Sequence, residues 1–120
     1  MTETSSVGES AGVDACVVLT TVPSQEQARL LARSLVEKRL AACVQMHAIE
    51  SVYAWQGAIE HGDEILLLIK TRRSLYKTLE TFIKQQHSYE VPEIIMLPVE
   101  AGLESYLNWL GEGTDHDLSK

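Results

Sequence analysis

Five consecutive apolar residues, Ile65-Leu66-Leu67-Leu68-Ile69, constrain this chain more than any other feature. They are β-branched or leucine, and turn signals flank them, so they read as a strand rather than a short helix. Successive side chains of a strand point to opposite faces, so this strand is apolar on both. Val17-Val18-Leu19 and Ile94-Ile95-Met96-Leu97 share the property. An antiparallel sheet with one wet face alternates apolar and polar residues instead. The sheet formed by these strands therefore needs a cover on each side.

The remaining elements follow from periodicity and punctuation. A first strand covers Ala15 to Thr21 and is stopped by Pro23. Ser24 and Gln27 stand at capping-box spacing. Ala28, Leu31, Ala32, Leu35 and Val36 then recur at helical spacing, predicting a helix from Gln25 to Arg39 whose last cations suit the helix dipole. A second strand is expected over Ala42 to Trp55, bent or bulged near Ala48 because of its length. Gln56-Gly57 marks a turn, and a third strand runs from Ile59 to Thr71 with an interruption expected at His61-Gly62-Asp63. Ser74 is placed to cap a second helix over Leu75 to Gln86. Glu93 to Leu97 forms a fourth strand, and Glu104 to Leu110 a short terminal helix. Residues 1–13 read as a disordered tail, 14–112 as one domain and 113–120 as a frayed tail.

The order β-α-β-β-α-β plus a terminal helix predicts an α+β, ferredoxin-like (split βαβ) fold. Two helices would cover one face of a four-stranded antiparallel sheet. For the second apolar face the favoured cover is another subunit. The alternative is that the terminal helix and the extension of the second strand fold back over it.

Charge narrows the partners. Seventeen acids against ten bases give a net charge of −7. A nucleic-acid or anionic-membrane binder needs clustered Lys and Arg, and here only Lys38-Arg39 and Arg72-Arg73 are adjacent. No apolar run approaches the roughly 20 residues of a membrane span. Two cysteines, Cys16 and Cys43, are too few for a secreted disulfide framework and are expected in the core. A cytoplasmic protein is the default expectation. No nucleophile elbow, P-loop or dinucleotide fingerprint occurs, so no enzyme activity is predicted.

Five motifs in order carry a family resemblance. They are Leu40-Ala41-Ala42-Cys43-Val44, Ser51-x-Tyr53-x-Trp55-x-Gly57, Lys70-Thr71, His87-x-Tyr89-x-Val91-Pro92-Glu93 and Tyr106-x-x-Trp109. Together they resemble the CutA family of divalent-cation tolerance proteins, over Val17 to Leu110. The resemblance implies a ferredoxin-like homotrimer without catalytic activity, linked to tolerance of copper and other divalent ions. No cofactor is required, and Cu²⁺ or another divalent cation is the candidate ligand. Architectural similarity to PII-type signalling trimers gives a second reading, a small anion held in a cleft between subunits. The protein partner, beyond further copies of the chain, is not identified.

His87 falls in the family's histidine motif and is the candidate metal ligand; the other role open to it is that of a hydrogen-bonded residue fixing the turn before Pro92. Relatives that carry Pro, a second His and Cys have Ser88, Gln86 and Thr20 as their counterparts here. Gln and Thr are poor soft-metal donors. Trp55, Glu64, Lys70, Tyr89, Glu93, Tyr106 and Trp109 are the candidate lining of a ligand cleft, the aromatics because a large apolar body with a polar handle suits cleft walls and interfaces.

Overall fold

The computed structural model describes residues 13–115. The expected N-terminal tail lies outside these residues, Val13 aside. Strand β1 (Ala15–Val22) leads into helix α1 (Gln25–Glu37), strands β2 (Cys43–Trp55) and β3 (Ala58–Arg72), helix α2 (Tyr76–Gln86), strand β4 (Ile94–Pro98) and helix α3 (Glu104–Gly113). The four strands form one antiparallel sheet in the order β2-β3-β1-β4. Since β1 and β2 are both antiparallel to β3, they run parallel to each other on either side of it.

Local chemistry explains most element ends. The Ser24 hydroxyl accepts the Gln27 N–H at 3.2 Å and caps α1. The expected end at Arg39 is two residues late. Arg39 adopts the left-handed conformation, with φ 60°. Its N–H donates to the Val36 carbonyl and the Leu40 N–H to that of Leu35. That is the Schellman closure, usually built with Gly at this position. Ser74 does not cap α2. It lies in a 3-10 turn, Arg73–Leu75, and Leu75 occupies the cap position without a side-chain bond.

The β2–β3 hairpin corrects two further expectations. Its pairing is unbroken from Cys43↔Lys70 to Trp55↔Ala58, so there is no bulge at Ala48 and no interruption at His61–Asp63. Gln56 and Gly57 both have positive φ, 52° and 83°. A two-residue turn with that geometry matches the twist of its strands and keeps the register continuous. The partnership with β1 begins only at Ile65. Ile49–Trp55 and Ala58–Glu64 therefore form a two-stranded arm beyond the sheet, which explains extents of 54 × 35 × 21 Å. The radius of gyration is 16.2 Å. A compact chain of this length would give about 14 Å.

The core lies on one face. Cys16, Val18 and Val22 of β1 and Ile65, Leu67 and Ile69 of β3 pack against Ala28, Leu31, Ala32 and Leu35 of α1 and Leu79 and Ile83 of α2. Thr20 and Thr71 share this face. The Thr71 hydroxyl donates to the Leu40 carbonyl at 2.8 Å, whereas the fully buried Thr20 hydroxyl has no partner among the described residues.

The opposite face carries Val17, Leu19, Leu66, Leu68, Ile95 and Leu97, by register. Ile95 and Leu97 are 47% and 48% exposed. Helix α3 does not fold over this stretch. Its Leu107 and Leu110 pack at the sheet's end on Ala15, with Val13, Ala42 and Val99 alongside. The C-terminal boundary also moves outward, because α3 continues to Gly113 and Thr114 is buried. Two arginines hold this helix end. Arg72 donates to the Gly111 carbonyl and to the Thr114 hydroxyl, and Arg39 to the Glu112 and Asp115 carbonyls. Residues 116–120 lie outside the described range.

Candidate functional site

The arm and the segment between α2 and β4 flank an open cavity of about 780 Å³. Ser51, Tyr53 and Trp55 recur at alternate positions of β2, and Glu64 joins them from β3 on the same face. The facing wall is Ser88 to Val91 together with Glu93. Thr21, at the end of β1, closes the floor.

A hydrogen-bond chain sets this geometry. Ser51 Oγ donates to Glu64 Oε1 at 2.7 Å, and the Tyr89 hydroxyl to Glu64 Oε2 at 2.8 Å. Burial, then the bond to the Glu64 carboxylate, pushes the Tyr89 phenol up to about 12. Behind Tyr89 stands His87. The Tyr89 backbone N–H donates to His87 Nδ1 at 3.0 Å, so the ring proton resides on Nε2, which lies 2.6 Å from the Thr21 carbonyl it donates to. The two rings are in contact, with centroids 4.7 Å apart. Both nitrogens of His87 are thus engaged within the chain. These two bonds tie the 87–93 segment to β1. Among the described residues, no group of three or more His, Cys, Asp or Glu is arranged to hold a metal ion.

The candidates from sequence divide into two groups. Trp55, Glu64, Tyr89 and Glu93 line the cavity, with His87 supporting it. Lys70, Tyr106 and Trp109 do not. Lys70 is six positions from Glu64 along β3, about 20 Å at strand rise, and donates to Gln45 Oε1 at 2.8 Å. Tyr106 and Trp109 pair on α3 with centroids 5.5 Å apart, and Tyr106 lies near Cys43 rather than near the arm. Cys43 and Cys16 are free thiols, and burial raises the Cys16 thiol to about 11, which leaves it unreactive.

Glu50 and Glu90 also line the cavity, as does Tyr53. Period-2 spacing on β2 was the available signal for Tyr53, two residues from Trp55. Glu90 sits in an irregular segment and had none. Four glutamates, Glu50, Glu64, Glu90 and Glu93, contribute to the lining, Glu50 from the opposite strand face with its carboxylate 3.8 Å from His61 Nε2, and no Lys, Arg or His among the described residues lines the cavity.

Fold and cavity define a small α/β protein with a four-stranded antiparallel sheet, three helices and an acidic, aromatic-walled cleft. Residues 16–113 match the family model for the CutA1 divalent ion tolerance protein. The chain is 48% identical over 99 residues to the divalent-cation tolerance protein CutA of Thermus thermophilus, covering 82% of this chain and 96% of that one. It is 45% identical over 106 residues to a chloroplastic CutA protein of Arabidopsis thaliana, of which it spans 58% while 88% of its own length is covered. Among solved structures, CutA1 from Oryza sativa superposes with a TM-score of 0.84 at 45% identity, over 87% of this chain and 96% of that one. The chain belongs to the CutA1 family of divalent ion tolerance proteins.

Proposed function

We propose that the chain is a non-enzymatic, ferredoxin-like subunit of a homotrimer that acts in tolerance of divalent cations, copper among them, by binding the cation weakly in the cavity beside the arm. The observation that carries this reading is the lining itself, where Glu64, Glu90 and Glu93 stand with no basic side chain among the described residues. Such a site favours cations and repels anions. The ferredoxin-like assignment is supported by the strand order and by the parallel pair β1 and β2 split by β3.

Self-association is supported by the second sheet face, where Val17, Leu19, Leu66, Leu68, Ile95 and Leu97 form an apolar stretch that α3 leaves open. A cytoplasmic setting is supported by the two free thiols. Lys70 lies outside this cavity, on the sheet face assigned here to another subunit, so the anion-binding alternative rests on a cleft between subunits.

The test is calorimetric titration of Cu²⁺ into protein whose mass is fixed by light scattering. Glu64→Gln and Glu93→Gln should each weaken a saturable binding step while the trimer persists. Unchanged binding in both variants, or a monomer at micromolar concentration, would sink the reading.

A further inference from the structure

The walls of the cavity contain more than carboxylates. Tyr53, Trp55 and Tyr89 line it as well. A hard divalent ion needs oxygen donors brought within about 2–2.6 Å of one point. No group of three or more His, Cys, Asp or Glu among the described residues converges in that way. Aromatic faces add nothing to the coordination shell of such an ion. An ammonium group on an aliphatic stem uses every part of this lining. Ring faces attract the cation, carboxylates accept its N–H groups, and the methylenes bury against the rings. Carboxylates that are spread out, rather than convergent, suit charges spaced along a chain.

The placement of the acids fits. Glu64 is held by Ser51 and Tyr89, each donating to one of its oxygens, so it is a fixed anchor on the arm side. Across from it, Glu90 and Glu93 make no side-chain hydrogen bond or ion pair among the described residues. About 780 Å³ falls within the range of small-molecule sites. We infer that this cavity binds an aliphatic polyamine, with ammonium groups at Glu64 and at Glu90–Glu93 and the stem across Tyr53 and Trp55. This deepens the reading of the cavity as a cation site and rests on it.

The test uses Trp109→Phe protein, which leaves Trp55 as its single tryptophan. Spermidine is titrated at physiological salt, with an uncharged diol of similar length as control and light scattering to follow oligomer size. A saturable change in Trp55 fluorescence with spermidine alone is expected. Tyr53→Leu, at a half-exposed position, should weaken it about 2- to 30-fold, the range of one cation–π contact. Glu90→Gln combined with Glu93→Gln should weaken it further. An affinity equal in all variants, or a response to the diol, overturns the polyamine inference. Cu²⁺ titrated in parallel separates the two readings. Copper binding that is lost in Glu64→Gln, without any spermidine response, overturns only the polyamine, and silence to both ligands overturns both.

Discussion

The Tyr89 phenol donates to the Glu64 carboxylate at 2.8 Å and so bolts the segment after α2 to the base of the hairpin arm. Tyr89→Phe removes the donor and leaves the carboxylate with Ser51 alone. A partly exposed bond to a charged acceptor predicts a loss of about 1–2 kcal/mol in urea unfolding. The phenol's ordinary value of 10 rises to about 12 in the folded chain. Its contribution to stability is therefore full below pH 10 and lost as pH climbs from 10 toward 12. Stability at pH 11 should fall less in Tyr89→Phe than in the parent; equal alkaline losses would break the assignment.

His87 uses Nε2 on the Thr21 carbonyl and Nδ1 on the Tyr89 N–H. His87→Ala leaves both backbone groups without their partner. A cost of about 1–3 kcal/mol is expected, with faster hydrogen exchange over residues 88–93. Normal exchange protection in that stretch would show that the ring does not hold it.

Thr20 and Thr71 make opposite predictions for one chemical change. Thr20→Val replaces a buried hydroxyl that has no partner among the described residues by a methyl of similar shape and should stabilise by about 1 kcal/mol. Thr71→Val breaks the bond to the Leu40 carbonyl and should destabilise by about 1–3 kcal/mol. Chemical unfolding at one fixed protein concentration decides both. The same sign for the two substitutions would contradict the assignment of partners.

Arg39 combines a left-handed backbone with a clamp on the last carbonyls of α3. Ala at this position loses the clamp and keeps the backbone cost. Gly loses the clamp and removes that cost, which is about 1 kcal/mol. Arg39→Gly should accordingly be the more stable of the two variants by about that amount. Equal stability would mean that the φ of 60° carries no cost here.

What sequence made legible was local. Ser24 caps α1 as its spacing with Gln27 implied, and the apolar run Ile65–Ile69 lies in a strand with neighbours on both sides. The end of α1 and the missing Ser74 cap were decided locally, but the other misreadings share a cause, which is that partners distant in the chain decided them. Length alone suggested a bulge in β2, but thirteen paired positions with β3 keep it regular. Residues from Gly113 look like a tail, yet Arg39 and Arg72, about 40 to 75 positions earlier, extend order to Thr114. Motif order placed Lys70 beside Glu64, whereas six residues of extended β3 hold the two about 20 Å apart. Of the cleft candidates, those on the arm and in the 87–93 segment were brought together and those on α3 were not.

The strand order also fixes a sequence of events in time. β1 is the first strand to be synthesised and sits between β3 and β4, both of which are made later. It has no ladder partner until the chain has been extended through Arg72. The β2–β3 hairpin, joined by two residues, can close as soon as it is complete. On the ribosome, Val17-Val18-Leu19 must therefore wait, apolar and unpaired, for a strand that begins some forty residues downstream. That interval is when an emerging chain is most open to chaperone capture or to pairing with the wrong strand.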